Sequence, residues 1–417
     1  MTARLELTRA QILGHRRRAG ALEERLPYAA DALRTAAWAG LQDSMPRAAL
    51  LSIHARVEGT QPSSWEDPAL VQVWGPRFSA YVVAAEDVAP FTLGRLPDDG
   101  PGRHRAEGAA ASLQAFLKGR RMSYGEAGHG LGQNPNSLRY GTTTGMIRIR
   151  WDGARKPTVW TVPRPEIDPF EARVELARRY LHVSGPATAD AFSKWAGVKP
   201  RRGRAAFDAL ATSLIPVQTP VGGALILATD ELSFTAPPRP ASGARLLPSG
   251  DAFFLFWGAD RELLVPEANL RNTLWTTRVW PGAVLLDGDI VGTWRRAEHD
   301  LSIQPWRRLS PAERETVEAE AASLPLPDLR RPIQVSWLDE QSRLQPPTNG
   351  GGRGQDLDPD PSSIHPEPRS GRDEFVAFET AGGRKTVKLS SRTTVIHRWR
   401  FPRHLARPSS GARFDGA

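Results

Sequence analysis

Cysteine is missing from the whole of this 417-residue sequence. That excludes disulfides and thiolate metal sites, and it fits a protein of the reducing cytoplasm. Long apolar runs are missing too, since nothing approaches the roughly 18 residues of a membrane helix. Near the N-terminus, Arg16-Arg17-Arg18 has no apolar stretch behind it, so no secretory leader is expected. The nine histidines show no His-x-x-x-His or other ligand spacing, so no metal is expected. Gly128-His129-Gly130-Leu131-Gly132 is glycine-rich but lacks the Lys-Ser/Thr that ends a phosphate-binding loop. No nucleotide or other cofactor is expected.

Lysine is scarce as well. Only six of the 55 basic residues are lysines, which leaves 49 arginines, and the formal net charge is +9 with a pI near 10.3. A GC-rich genome accounts for part of that bias, along with the abundance of Ala, Gly and Pro. An arginine excess still favours a polyanionic partner, because guanidinium pairs bidentately with phosphate. Hydrophobic content of 40% and charged content of 24% are ordinary for a soluble globular chain. At roughly 100–200 residues per domain, the length suggests two to four compact units.

The order of elements is more telling. Residues 5–35 read as helices, with Thr8 as a cap and Pro27 as a break. A helical run follows over residues 48–57, then a β-hairpin from Leu70-Val71-Gln72-Val73-Trp74 and Phe78-Ser79-Ala80-Tyr81-Val82-Val83. Residues 97–105 read as a linker. Helices over 106–118, about 123–130 and from 136 then lead to a hairpin, with alternating runs at 146–151 and 157–162 around Asp152-Gly153. The order repeats at 170–181, 189–196 and 200–210, with Phe192 and Trp195 inward, Gly197 as a C-terminal cap, and strands at 214–218 and 224–228. Helix, helix, helix, hairpin is the order of a winged helix, and Gly-Pro-Ala-Thr entering a helix is a helix-turn-helix cue. Residues 246–306 turn to strands, including Phe253-Phe254-Leu255-Phe256-Trp257, and Ser310-Pro311-Ala312-Glu313 opens a helix. The predicted fold class is α+β, with tandem winged-helix modules followed by a small β-rich lobe. Boundaries fall at 1–96 for an N-terminal winged-helix-like module and at 106–165 and 166–235 for two further winged helices. The lobe and its helix occupy 245–324, and a largely disordered tail covers 325–417, with an isolated hairpin in 374–400.

The polar centre of the chain is Gln42-Asp43-Ser44, between apolar flanks and ahead of Pro46. Read locally, Asp43 or Ser44 caps the helix that follows, and Gln42 is an ordinary polar residue. Adjacent side chains diverge on any regular backbone, so Asp43 is expected to point away from Gln42. Several segments together resemble the AlkZ/YcaQ family of bacterial DNA glycosylases over about residues 5–324. They are Gly40-Leu41-Gln42 with Pro46-Arg47-Ala48-Ala49-Leu50, the hairpin from Trp74 to Val83, Ser184-Gly185-Pro186-Ala187-Thr188 with Trp195-Ala196-Gly197, Leu246-Leu247-Pro248 with Asp251, and Leu286-Asp287-Gly288 through Val291-Gly292-Thr293-Trp294-Arg295-Arg296. The resemblance implies tandem winged helices around a basic channel. It also implies excision of alkylated, often N7-modified, purines, in some members from interstrand crosslinks.

The family's catalytic signature is Gln, an apolar residue, then Gln or Asp, whereas this chain reads Gln42-Asp43-Ser44. The candidate catalytic residues are therefore Gln42, Ser44 and Asp43. Candidate DNA contacts are Arg47, Arg77, Arg139, Arg148, Arg150, Lys156, Lys199, Arg201, Arg202 and Arg204. The expected partner is double-stranded DNA, alkylated or crosslinked, bound by a monomer in the cytoplasm and away from membranes. Two other readings stay open: a DNA-binding regulator or lesion sensor that excises nothing, and an interaction scaffold that no longer touches DNA.

Overall fold

A computed structural model describes residues 5–153, 156–237, 243–277, 279–327 and 331–338, all within the unit Met1–Thr348. The isolated hairpin expected in 374–400, and all of the expected tail beyond residue 338, lie outside these residues. Among the described residues the architecture is mixed α+β, with three sheets and helices packed between them.

The first stretch comprises β1 (Leu5–Glu6), α1 (Arg9–Ala19), α2 (Ala30–Ala36), β2 (Leu41–Gln42), α3 (Ala48–His54), β3 (Leu70–Trp74), β4 (Ala80–Ala84) and α4 (Val88–Thr92). Helix α1 starts where the sequence requires, because Thr8 accepts from Gln11 N while the Gln11 side chain reaches back to the Thr8 amide. Next come α5 (Gly100–Leu117), β5 (Met122–Ser123), α6 (Tyr124–Gly130), a run of 3-10 turns Pro135–Thr144, and the hairpin β6 (Ile147–Arg150) and β7 (Thr158–Thr161). The third stretch is α7 (Pro169–Ser184), α8 (Ala189–Ala196), α9 (Pro200–Ala209), the hairpin β8 (Leu214–Thr219) and β9 (Gly222–Leu227), and α10 (Glu231–Thr235). Phe192 and Trp195 are buried, and Gly197 ends α8 at φ 70°, as the pattern predicts.

The first two hairpins share one sheet. Strands run β2-β4-β3-β6-β7-β5 in one six-stranded sheet, and the two halves meet through the pairing of Gln72 with Ile149. Strand β1 joins the third hairpin instead, parallel to β8.

The last stretch is β10 (Ala244–Leu247), α11 (Asp260–Leu264), α12 (Ala268–Leu274), β11 (Gly282–Leu286), β12 (Asp289–Ala297), β13 (Asp300–Pro305), α13 (Pro311–Ala322) and β14 (Gln334–Trp337). Ser310 and Glu313 form the expected capping box of α13.

Three expectations need correction. Residues 97–105 are not a linker: α5 begins at Gly100 with Pro101 in its first turn, and Asp98 is tied to Arg173 at 2.7 Å and to Arg202 at 3.0 Å. The run at 253–257 is loop, not strand, with Phe253, Phe254, Leu255 and Phe256 all buried as core wedges. Segment 325–338 contains order, because Ile333, Val335 and Trp337 pack on the lobe and β14 pairs parallel with β13.

One buried ion pair fastens this lobe to the residues just after α3. Asp251 receives both Arg56 nitrogens at 2.8 Å and the Ser52 hydroxyl at 2.6 Å. Burial alone would raise the Asp251 carboxyl, but Arg56 and its other donors hold it below the usual carboxylate range. We predict that Arg56→Met, which leaves Asp251 buried and unpaired, costs about 3–5 kcal/mol in urea unfolding.

Candidate functional site

Gln42 is the last residue of β2, opposite Tyr81, and the ladder continues through Asp43 N to Ala80 O at 2.8 Å. Alternation then sends Gln42 and Ser44 to one side and Asp43 to the other. Gln42 Nε2 donates to Ser44 Oγ at 3.2 Å, and Arg77 Nη2 donates to Gln42 Oε1 at 3.4 Å. The amide orientation is consistent, since a guanidinium can only face the carbonyl oxygen. Both Gln42 and Ser44 are half-buried.

Asp43 serves the frame. Its carboxylate accepts from Ala49 N at 3.0 Å, at the start of α3, and from Gln72 Nε2 at 2.6 Å. Burial pushes its carboxyl up to about 6, against the pull of those two hydrogen bonds. Gln72 in turn is pinned by Trp151, which donates its N–H at 2.7 Å and accepts at 3.2 Å. Asp43 thus joins β2, α3 and both hairpins of the long sheet. It is turned away from Gln42, as the local reading expects.

Arg77 reaches Gln42 because three elements fix its turn. Arg77 and Phe78 sit at φ 54° and 59°, a left-handed conformation that costs about 1–3 kcal/mol per non-glycine residue and is held only by its surroundings. Arg95 supplies one hold: its buried guanidinium donates to Trp74 O at 3.1 Å and Ala196 O at 3.0 Å. Gly197 supplies another, because a Cβ there would stand 3.0 Å from Arg77 N. The Arg77 guanidinium lies 4.2 Å over the Trp257 ring, and burial lowers its pKa from the usual arginine value. The lobe closes the last side. A Cβ on Gly250, at φ 79°, would stand 3.1 Å from Gln42 Cδ, so only glycine allows this approach.

Of the other basic candidates, Arg47 and Arg150 gather over the Trp65 ring at 4.4 and 3.8 Å, and Arg150 also pairs with Glu66. Arg139 lies 5.7 Å from the Trp74 ring and 5.9 Å from Tyr124. Arg148 donates to Gly145 O at 2.8 Å, and burial lowers it to about 10. Lys156 is exposed over Gly125. Lys199, Arg201 and Arg204 are exposed at the start of α9, with Arg201 3.5 Å from Asp99. Arg202 differs from its neighbours: it is buried and bonded to Asp98, so it is an internal tie and presents no surface charge. Sequence reasoning missed Gly250 and Trp257, whose approach to Gln42 and Arg77 depends on residues some two hundred positions away in the chain.

Three groups from separate segments also meet: His15, His182 and Asp230 each offer a ligand atom, all within 4.8 Å of one another. Local spacing could not show this. His15 Nε2 faces the His182 carbonyl at 2.7 Å and must donate, so Nδ1 accepts from Ser233 Oγ at 2.9 Å. His182 Nδ1 lies 3.0 Å from Asp230. The cluster is thus hydrogen-bonded through its ligand atoms. Burial lowers His15 to about 4, against the carbonyl hydrogen bond.

Residues 35–325 match the family described as DNA glycosylase AlkZ-like. The chain belongs to that family. It is 27% identical to an interstrand DNA cross-link repair glycosylase of Streptomyces sahachiroi, across 42% of this chain and 54% of that relative. The match therefore spans about half of the relative's length. The fold is similar to the solved structure of Streptomyces sahachiroi DNA glycosylase AlkZ, with a TM-score of 0.63 at 18% identity, covering 80% of this chain and all of that one. Among the described residues, no helix is long and apolar enough to cross a membrane.

Two measurements probe this frame. In Asp43→Asn, Gln72 cannot turn to compensate because Trp151 holds both ends of its amide, so one donor meets a donor. Unfolding free energy should fall by about 1–3 kcal/mol. For His15, the unfolded chain takes up a proton at higher pH than the folded one, so this group drains stability as pH falls from about 6.5 to about 4. Asp43 works in the opposite direction over about pH 4–6. Urea midpoints measured across that window should therefore fall less steeply on acidification in His15→Gln than in the parent.

Proposed function

We propose that this protein hydrolyses the N-glycosidic bond of alkylated purines in duplex DNA, acting as a monomer in DNA repair or self-protection. The observation that carries the reading is the contact of Gln42 with Ser44 on one side of the chain, with Asp43 turned to the other. An N7-alkylated purine is cationic and leaves as a neutral base, so its departure needs no acid. Breaking the C1′–N bond leaves positive charge on the sugar, and a held water then forms the C1′–O bond and sheds a proton to solvent.

Gln42 Oε1 keeps a lone pair beyond the one that Arg77 uses, and Ser44 Oγ keeps both its proton and a lone pair. Together they can grip one water. Ser44 is shorter than the family's Gln or Asp, and Gln42 lies beside it to make up the reach. Asp43 has no place in this step. Its carboxylate is occupied by Ala49 and Gln72.

The two helix-helix-helix-hairpin stretches are read as winged helices, with an N-terminal module of the same kind carrying Gln42. Arg47, Arg150, Lys156, Lys199, Arg201 and Arg204 are assigned to phosphates, as exposed or half-exposed cations. Arg77 is assigned to the reacting nucleotide because it adjoins Gln42. The name of the crosslink-repair relative extends the substrate range to interstrand crosslinks.

A second reading, a lesion-binding protein without hydrolysis, is favoured by one observation: Ser44 stands where the family has Gln or Asp. Purified protein incubated with an N7-methylguanine duplex separates the two. Abasic sites should accumulate, and Gln42→Ala should slow their appearance about 10²–10³-fold, as loss of a positioned polar group does. Intact duplex affinity with no release above background would establish the lesion-binding reading instead. In either case, affinity should fall steeply between low and high salt.

A further inference from the structure

The His15, His182 and Asp230 side chains come from three separate elements. His15 lies on α1, His182 in the last turn of α7, and Asp230 just ahead of α10. Among the described residues no other three histidine or carboxylate side chains bring their ligand atoms this close together. His15 and Asp230 are buried, whereas His182 is half-exposed and leaves a path from solvent.

Three features of the cluster are those of ligands. The His15 ring is fixed, because Nε2 donates to the His182 carbonyl and the lone pair is left on Nδ1. Metal-bound imidazoles are held in this way, with the second nitrogen on a carbonyl or carboxylate. Asp230, for its part, is short of donors. It stands at the cap position of α10 but caps nothing, and His182 Nδ1, 3.0 Å from both carboxylate oxygens, is the one donor it meets among the described residues. Buried carboxylates ordinarily collect more than one. The spacings also suit an ion. Bonds of about 2.0–2.2 Å set neighbouring donors about 3 Å apart, and His182 Nδ1 already has that spacing from Asp230. Closing the rest of the cluster takes about an ångström, within reach of a small turn of the half-exposed His182 ring.

We propose that His15, His182 and Asp230 bind one divalent transition ion of the zinc type, through His15 Nδ1, His182 Nδ1 and a carboxylate oxygen, with water completing the shell. Two imidazoles and a single carboxylate favour such an ion over Ca²⁺ or Mg²⁺, which take oxygen ligands. On binding, the Ser233 hydroxyl gives up the His15 lone pair, and the His182 Nδ1 proton moves to Nε2 or leaves to solvent. Arg18, beside Ser233, is turned to the Ser233 carbonyl and to Glu23 at 3.4 Å. The ion ties α1 to α7 and α10, so its role is to fasten the N-terminal segment. Nothing in it rests on base excision.

The test is metal binding by the full chain after treatment with a chelator. Titration with Co²⁺ should bring up visible d–d absorption that saturates at one ion per chain and is discharged by Zn²⁺. Added Zn²⁺ should also raise the unfolding temperature. His182→Ala, at a half-exposed position, should fold like the parent and lose at least about 10–100-fold in affinity, since removing a mere partner behind a ligand costs that much. Asp230→Asn should weaken binding to a similar extent. Ser233→Ala separates an ion site from a cluster built only for hydrogen bonding. It removes the hydroxyl that competes for His15 Nδ1, so Zn²⁺ should bind as tightly as in the parent or more tightly. Saturation below one ion per chain, no d–d bands, or loss of binding in Ser233→Ala overturns the proposal. So does unchanged affinity in His182→Ala, because other histidines would then hold the ion.

Discussion

The Arg56–Asp251 pair is the fastening on which the rest of this molecule depends. It has both carboxylate oxygens engaged, has the Ser52 hydroxyl beside it, and is shut away from water. Its partners lie just past the end of α3 and in the loop after β10, far apart in sequence. The same helix is capped at Ala49 N by Asp43, so α3 carries the polar strand at one end and the lobe near the other. Gly250 adjoins Asp251 and is brought against Gln42. Four of the five segments that resemble the family in sequence thus close around one glutamine: the strand end, the hairpin turn, the α8 cap and the β10 loop.

Arginine has two separate uses in this chain. Arg16, Arg17, Arg56, Arg95, Arg173, Arg179 and Arg202 are buried, and most reach main-chain carbonyls or a carboxylate from a distant segment. A planar fork of five donors satisfies several loop carbonyls at once, which a lysine cannot do. The high pI therefore overstates the charge available to a polyanion. Of the candidate contacts left outside, Arg47 and Arg150 gather over Trp65, and Lys199, Arg201 and Arg204 stand at the start of α9.

What could be read from sequence was whatever is decided within a few residues. Thr8, Ser310 and Gly197 mark helix ends because a cap bonds inside one turn. The opposed directions of Gln42 and Asp43 follow from strand alternation alone. What could not be read depends on distant partners. Asp98 turns an apparent linker into a helix entry because Arg173 and Arg202 wait for it. Arg202 looks like its exposed neighbours until α9 is packed. The run from Phe253 to Trp257 has strand composition, yet its rings fill gaps between units and its backbone joins no sheet. The meeting of His15, His182 and Asp230 has no trace in local spacing.

The single pairing of Gln72 with Ile149 also bears on the order of assembly. Each hairpin of the long sheet closes over a few residues, so it can form early and alone. The join between them has one ladder position and one amide side chain that also holds Asp43, set in the packing of Trp74 against Ile147 and Ile149. Asp43, next to Gln42, therefore gains the Gln72–Trp151 support only when both halves have docked. A chain stalled before that step would hold most of its hairpin hydrogen bonds while the strand end that carries Gln42 still lacked that brace.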